Sequence, residues 1–254
     1  MNEMEKESLY KYLLMLGDNS MILGHRLSEL CGHGPTLETD IALTNHSLDL
    51  FGQVRNLFQY AAKIKGEEAT EDTIAYLRNE RQHLNCILVE QPNTDFAHVI
   101  VRQFLFDAFQ KLQLEGLEKS NDAQIAAIAI KSLKETKYHF RFSSEWCKRL
   151  GAGTEISHQK MQLALDTLYP FVYEFFQETP IEKEMFDKGI GIDVKSIEKN
   201  YFTIVNEILE EATLKIPETP GRHTNGKIGI HSEHLGFILS DFQYMQRSFP
   251  NMQW

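Results

Sequence analysis

Apolar side chains recur every three or four residues along most of the chain, the period of one face of an α-helix. They are Leu9, Leu13, Leu16, Leu23, Leu27 and Leu30 in the first segment and Leu43, Leu50, Val54, Leu57 and Ala61 in the second. Cys31-Gly-His-Gly-Pro35 ends the first predicted helix, and Thr36 begins the second as a capping residue. Because the turn is short, the pattern predicts two antiparallel neighbouring helices.

Further helical patterns follow towards the C-terminus, and the 77 residues from 93 to 169 contain no proline. The pattern predicts helices at roughly 70–90, 95–118, 121–150, 155–178, 194–214 and 231–248. The predicted fold is therefore all-α, a single helical domain over residues 1–254. Residues 1–150 form its core bundle, and residues 151–254 supply additional helices packed on it.

Composition narrows the class of protein. Glycine and proline number only 15 and 7 among 254 residues, too few for the frequent turns of most all-β folds. The formal net charge of −10 disfavours binding to nucleic acid or an anionic membrane. No apolar stretch approaches the roughly 20 residues of a membrane helix. Three widely spaced cysteines and an acidic N-terminus indicate a reducing cytoplasm rather than secretion.

Four acidic residues lie on inward-facing stripes, one in each of four long predicted helices. They are Asp18, Asp49, Asp107 and Glu135. A buried carboxylate is unfavourable unless it is paired or bound to a metal ion, so these residues are informative. Two helical hairpins each carry a pair of acids at similar depth. This is the layout of a ferritin-like di-iron bundle, in which two helices give a Glu and two give Glu-x-x-His.

The sequence departs from that layout where the iron-binding histidines belong. Three residues after Asp49 stands Gly52, and three residues after Glu135 stands Tyr138. His139 is one residue further along, so its direction is rotated away from the required one. We expect a degenerate site with no metal, cofactor or catalytic residue in this chain. The buried acids then need cations, and the candidates left open are Arg55, Arg78, Arg81, Arg102 and Lys137.

Two other features carry possible chemistry. His231-Ser-Glu-His234 places two histidines on one helix face, as in zinc sites, but no third ligand has a suggestive spacing. A helix start or a partner contact is the favoured interpretation. Arg222 and His223 in the connector at 217–226, with Lys227 directly after it, suit either a phosphate-bearing ligand or solvent. Phosphate-binding glycine loops, Gly-x-Ser-x-Gly and Cys-x-x-Cys are absent.

Long segments of the chain, from about residue 12 onward, resemble one family. They are Leu16-Gly-Asp-Asn19, Cys31-Gly-His33, Leu48-Asp-Leu-Phe-Gly-Gln-Val-Arg-Asn56, Arg78-Asn-Glu-Arg-Gln82, Leu88-Val-Glu-Gln-Pro-Asn93, Lys134-Glu-Thr-Lys-Tyr-His-Phe-Arg-Phe-Ser143, Gln159-Lys-Met-Gln162, Glu211-Ala-Thr-Leu214, His231-Ser-Glu-His-Leu-Gly236, Gln243-Tyr-Met-Gln-Arg247 and Gln253-Trp254. They are similar to the C subunits of bacterial ring-1,2-phenylacetyl-CoA epoxidases, multicomponent oxygenases of aerobic phenylacetate breakdown.

The resemblance implies a ferritin-like, metal-free structural subunit. The di-iron centre belongs to a related A subunit, and a reductase subunit supplies electrons from NADPH. Expected partners are the A subunit and the other subunits, with self-association left open. Predicted partner contacts are Phe171, Tyr173, Phe175, Phe176, His231 and His234. The alternatives are an independent di-iron oxygenase or oxidase using the four acids and His139, and a helical adaptor unrelated to oxygenases.

Overall fold

Nine α-helices and several 3-10 turns make up the part of the chain that is described in the computed structural model, residues 3–66, 69–218, 221–222, 224–250 and 252. The helices are α1 (Glu3–Ser28), α2 (Leu37–Lys65), α3 (Glu71–Tyr76), α4 (Phe96–Leu117), α5 (Ala123–Gly151), α6 (Glu155–Leu168), α7 (Pro180–Asp187), α8 (Glu198–Glu211) and α9 (Glu233–Ser248). These residues contain no β-strand. The predicted all-α class is confirmed.

Two antiparallel hairpins, α1 with α2 and α4 with α5, form a ferritin-like four-helix bundle in which α2 also packs on α5. Side-chain oxygens begin three of these helices, as predicted for α2. Thr36 accepts from the backbone N–H of Thr39 at the start of α2, Asp95 caps α4 and Asp122 caps α5. Each cap satisfies N–H groups that have no partner within their own helix.

Helices α1 and α4 are more deeply buried than α2 and α5. All residues from 12 to 24 in α1 and from 97 to 110 in α4 are buried, whereas α2 and α5 each keep one exposed face. Helices α6 and α8 pack on α4, while α7 and α9 pack on α1. The core thus extends to both sides of α1 and α4. None of the helices among the described residues is long and apolar enough to cross a membrane.

The helix predicted at roughly 70–90 is wrong. Only α3 is α-helical there, followed by 3-10 turns at Glu80–Gln82 and Ile87–Glu90. Backbone N–H groups of this segment bond to side chains of other elements. Leu84 donates to Asp18, Cys86 donates to Asn19, and Ile87 donates to Glu174. An α-helix would use these groups internally, so tertiary bonding replaces the helical form.

The helix predicted at 155–178 is too long, and α7 was missed. Helix α6 ends at Leu168, and the chain continues as a 3-10 helix from Tyr169 to Phe176. Pro170 has no N–H to donate, which disfavours continuation of the α-helix. Helix α7 starts with a capping box between Thr179 and Glu182 and with proline in its first turn. That Thr-Pro-x-Glu sequence is a recognisable start signal.

Candidate functional site

Four polar side chains, one from each long helix of the bundle, meet between α1, α2, α4 and α5. Gln110 Nε2 donates to Ser20 Oγ and to Gln53 Oε1, each at 3.1 Å. Thr136 Oγ1 donates to Gln110 Oε1 at 3.2 Å, and Ser20 Oγ donates to Gln53 Oε1 at 3.4 Å. All four side chains are buried. The bundle centre is a neutral network of amides and hydroxyls, called the central network below.

The residues around this centre do not fit a di-iron site. Such a site needs an inward carboxylate from each of the four helices and an imidazole from two of them, as ligands of non-haem iron. Here neutral amides and hydroxyls take the central positions. Within the part of the chain that the structure describes, no group of three or more His, Cys, Asp or Glu side chains is placed to hold a metal ion.

Asp49 and Glu135 lie together at the edge of the central network, where α2 meets α5. His139 Nε2 lies 2.9 Å from Asp49 Oδ2, and Gln53 Nε2 donates to Glu135 Oε2 at 3.4 Å. Burial, followed by the charge of Asp49, raises the pKa of Glu135 above its usual range. Both acidic residues are partly exposed. The structure therefore brings these two acids and His139 together, but beside the solvent rather than at the bundle centre.

The positions predicted to replace iron-binding histidines, Gly52 and Tyr138, do not face the interior. Both residues are exposed. Their neighbours Gln53 and His139 are the buried residues of the same turns. The predicted direction is wrong by about one residue of helical rotation, because Asp49 stands at the boundary with solvent and not in the middle of the inward face.

His46, one turn before Asp49, contributes an aromatic ring and no charge. Its ring centroid lies 4.1 Å from that of His139 and 4.8 Å from that of Phe142. Burial lowers its pKa to about 2, so the ring is neutral at physiological pH. Neither ring nitrogen has a hydrogen-bond partner among the described residues. His46 therefore fills apolar space, and His139 is the basic group beside Asp49.

Asp107 is fully buried in α4 and is bound by neutral groups. Gln103 Nε2 donates to its Oδ1 at 2.6 Å, and Ser143 Oγ donates to its Oδ2 at 2.8 Å. Burial raises its pKa to about 7, although the nearby His139 and the two hydrogen bonds act in the opposite direction. A substantial fraction of this carboxyl is therefore protonated at neutral pH. Protonation removes the charge without a cation.

Asp18 is also buried, but it faces away from the central network. Arg78 Nη1 donates to its Oδ2 at 2.8 Å, and Arg78 Nη2 donates to its Oδ1. The backbone N–H of Leu84 donates to Oδ2 at 2.8 Å. Of the five cations left open by the sequence, Arg78 is the partner of Asp18. The prediction that Asp18 shares one site with the other acids is wrong, because residues 74–84 cover that side of α1.

The motif His231-Ser-Glu-His234 marks the attachment of α9 to the rest of the chain. His231 Nδ1 lies 2.5 Å from Glu90 Oε1, and its Nε2 lies 2.8 Å from the carbonyl oxygen of His83. Ser232, the N-cap of α9, donates to Glu90 Oε2 from both N and Oγ. The His231 side chain is fully buried, which contradicts a partner contact through it. His234 is half-buried at the start of α9.

Replacing Glu90 with alanine should loosen α9 from the bundle. The change removes the buried acceptor for His231, Ser232 and Asn85, and we expect a loss of about 3 kcal/mol in unfolding free energy. Urea unfolding and limited proteolysis near Lys227 measure the effect. Glu233→Ala, an exposed change in the same helix, is the control. Equal protease resistance of the two variants would contradict the assigned role.

Two of the three basic residues considered for a phosphate-bearing ligand, Arg222 and Lys227, contact other parts of the chain. Lys227 is buried. Its Nζ lies 2.6 Å from Glu182 Oε1 and donates to the carbonyl oxygen of Gln177 at 2.8 Å. The Arg222 guanidinium lies over the ring of Phe171 at 4.9 Å. His223 lies outside the described residues. Lys227 is therefore unavailable to the phosphate-bearing ligand considered from the sequence.

The aromatic segment predicted to contact a partner belongs to the core. Phe171, Phe175 and Phe176 are buried, and Phe175 stacks on Phe109 with ring centroids 4.3 Å apart. Tyr173 is half-buried against Phe202. The structure therefore contradicts partner contact through the three phenylalanine rings. The segment was misjudged because its helical neighbours α4 and α8, which cover it, are distant in sequence.

Fold and side-chain contacts together define a ferritin-like bundle whose four central positions are neutral. The family described as "Phenylacetic acid catabolic protein" matches residues 1–254, and the chain belongs to this family. It is also similar to the C subunit of the 1,2-phenylacetyl-CoA epoxidase of Escherichia coli (strain K12). The two sequences are 46% identical over 246 residues, covering 97% of this chain and 99% of the relative. The resemblance read from the sequence motifs is confirmed.

Proposed function

We propose that this chain is a non-catalytic structural subunit of a cytoplasmic phenylacetyl-CoA 1,2-epoxidase complex and acts in aerobic phenylacetate catabolism. Its partner is the di-iron catalytic A subunit, and it contributes no metal or cofactor itself. The central network carries this proposal. Ser20, Gln53, Gln110 and Thr136 bond to one another where a catalytic bundle of this fold needs carboxylates. The similarity to the C subunit of an epoxidase supports the assignment to the complex.

Two observations weigh against an independent di-iron oxygenase. Asp18 already binds Arg78 on the far side of α1, so it cannot join Asp49 and Glu135 without breaking a buried ion pair. Asp107 binds Gln103 and Ser143, and burial raises its pKa to about 7, so a substantial fraction of this carboxyl is protonated near pH 7. The third alternative, an adaptor unrelated to oxygenases, is disfavoured by the family match over the whole chain.

The decisive experiment tests whether this chain binds iron by itself and whether it associates with the catalytic subunit. The chain is produced alone, and together with a ferritin-like A subunit that has two intact Glu-x-x-His motifs. After anaerobic reconstitution, we expect far less than one iron per chain in the isolated protein, and stoichiometric co-purification of the two proteins. Ring epoxidation of phenylacetyl-CoA by the A subunit and the reductase should require this chain.

Two results would contradict the proposal. Near-stoichiometric iron on the isolated chain, with an oxygen-dependent optical change, would favour the independent oxygenase. Absence of any association with the A subunit would favour the unrelated adaptor. The central network supplies a matched variant, Gln110→Glu, which adds a carboxylate at the bundle centre. The buried charge should destabilise the chain. The variant should gain no activity, because the other three positions still lack iron ligands.

A further inference from the structure

We propose that the catalytic subunit docks on the outer face of α2 and α5. The surface of the catalytic subunit that makes this contact is helical, acidic and partly apolar. The α2/α5 outer face comprises Ile41, Leu48 and Gly52 on α2 and Tyr138, Arg141 and Arg149 on α5. This inference rests on the proposed function and locates its interface. Helices α6 and α8 pack on α4 and on another part of α5, and α7 and α9 pack on α1, whereas the six residues of the α2/α5 outer face remain exposed in the described part of the chain.

The α2/α5 outer face exposes three large apolar side chains. Leu48 is 61% exposed, Tyr138 57% and Ile41 51%. The bond between Asp49 and His139 places Leu48 and Tyr138, their chain neighbours, at the same height. A groove of about 650 Å³ runs along α5 and is lined by Tyr138, Arg141, Phe142, Glu145, Trp146 and Arg149. Aromatic and arginine side chains of this kind are enriched in interface centres.

Gly52 gives a second, independent reason to expect close approach of another chain. It lies in the middle of the 29-residue helix α2, where glycine is less favourable than alanine. Its backbone has no positive φ, and a Cβ built on it would meet no described atom within 4 Å. Nothing described in this chain requires glycine at position 52. A helix of another chain crossing α2 closely at this point would require glycine there, because any side chain would keep the two backbones apart.

Charge determines which partner fits. The chain has a net charge of −10, yet residues 131–149 contain six basic and two acidic side chains. Glu145 pairs with Lys148, Glu135 bonds to the neutral amide of Gln53, and Asp49 of α2 adds a third acid next to His139. The basic side chains of the stretch still outnumber these three acids. Arg141 and Arg149 are exposed and have no ion-pair partner in the described part of the chain. An acidic surface complements this face.

Two other occupants fit the face less well. A second copy of this chain, docked about a two-fold axis, would set the basic stretch of α5 against itself. The phosphates of a coenzyme would need converging cations, whereas Arg141 and Arg149 are about 12 Å apart along the helix. The groove alternates these arginines with Tyr138, Phe142 and Trp146. That alternation suits an extended helical surface better than a phosphate.

Charge reversal on the full-length chain tests the inference. The variant Arg141→Glu/Arg149→Glu is compared with the control Lys199→Glu/Lys215→Glu, which changes charge equally on exposed residues of other elements. Affinity for the purified A subunit is measured by biolayer interferometry at low and high salt. We expect the arginine variant to bind at least about tenfold more weakly and to lose most of the salt dependence. The control should bind like the unmodified chain.

A second pair of variants tests close approach at Gly52. Gly52→Met should raise the melting temperature of the isolated chain slightly and weaken binding to the A subunit by at least about tenfold. The control is Gly236→Met in α9, where a Cβ would meet only Glu80 Oε2, at 3.9 Å. It should leave binding unchanged. Because Gly52→Met is expected to fold at least as well as the unmodified chain, weaker binding cannot be attributed to misfolding.

The outcomes distinguish the two levels of the proposal. If the unmodified chain does not bind the A subunit, the proposed function fails. If it binds, but the variants at Arg141, Arg149 and Gly52 bind equally well, only the location of the interface is overturned. Loss of coenzyme A binding in the arginine variant, measured by calorimetry with affinity for the A subunit unchanged, would identify an anion site and also overturn the docking surface. Loss of self-association alone would overturn it in favour of a second copy.

Discussion

Replacing Arg78 with methionine is expected to lower the free energy of unfolding by about 3–5 kcal/mol, the largest single effect that the structure predicts. The change leaves the buried carboxylate of Asp18 without its cation, and only the N–H of Leu84 still donates to it. Arg78 also donates to the carbonyl oxygens of Ile74 and Gln82. Residues 74–84 should therefore detach from α1, and equilibrium urea unfolding measures the loss.

Two comparisons make that result specific. Arg55→Met removes an exposed arginine and should change stability by less than about 0.5 kcal/mol. The double variant Asp18→Asn/Arg78→Met buries no charge at this site, so it should be more stable than Arg78→Met alone. If Arg78→Met proved as stable as the Arg55 control, the ion pair would have no structural role.

Asp107→Asn is expected to stabilise the protein by an amount that grows from near zero at about pH 4 to its full value above pH 7. In the folded state the pKa of Asp107 is about 7, whereas an unfolded carboxyl has a pKa near 3.8. The unfolded state therefore loses its proton first as the pH rises, and stability falls between about pH 4 and pH 7. The difference between these pKa values corresponds to about 4 kcal/mol.

Asparagine removes this penalty while keeping both contacts. Its Oδ1 accepts from Gln103, and its Nδ2 donates to the Ser143 hydroxyl, which has a free acceptor site. The gain should approach zero near pH 4 and reach a plateau above pH 7, in urea unfolding at several pH values. Asp241→Asn, an exposed change, is the control and should show no such trend. Destabilisation of Asp107→Asn at pH 8 would contradict the raised pKa of this carboxyl and the absence of a compensating cation among its hydrogen-bond partners in the described residues.

The sequence predicted the four long helices well because each buries a continuous stripe. Periodicity located α1, α2, α4 and α5, and Thr36 was placed correctly as a cap. It failed for residues 77–90, whose N–H groups bond to Asp18, Asn19 and Glu174 in distant elements. Contacts of that kind are set by tertiary structure, and no local pattern reports them.

The candidate site was predicted in part, and its error has a simple cause. Asp18, Asp49, Asp107 and Glu135 do lie one per long helix, and two of them are fully buried. Burial does not indicate which side of a helix a residue faces when protein covers both sides, as it does for α1 between residues 12 and 24. Asp18 was therefore assigned to the wrong side of its helix.

The central network escaped notice for a different reason. Serine, threonine and glutamine are common on helix surfaces, so no spacing distinguishes Ser20, Gln53, Gln110 and Thr136 from solvated residues. Their significance appears only when the register of the four helices is known. Gln53 follows Asp49 by four residues and Thr136 follows Glu135 by one. Because the two offsets differ, no single spacing from the predicted acids identifies both residues.

The central network also bears on how such a complex responds to iron supply. Its donors find acceptors within the four helices, from Thr136 through Gln110 to Ser20 and Gln53. These hydrogen bonds do not change with the availability of iron. Under the proposed function, this chain should therefore fold equally well with and without iron. Iron would then affect the proposed complex only through the catalytic subunit.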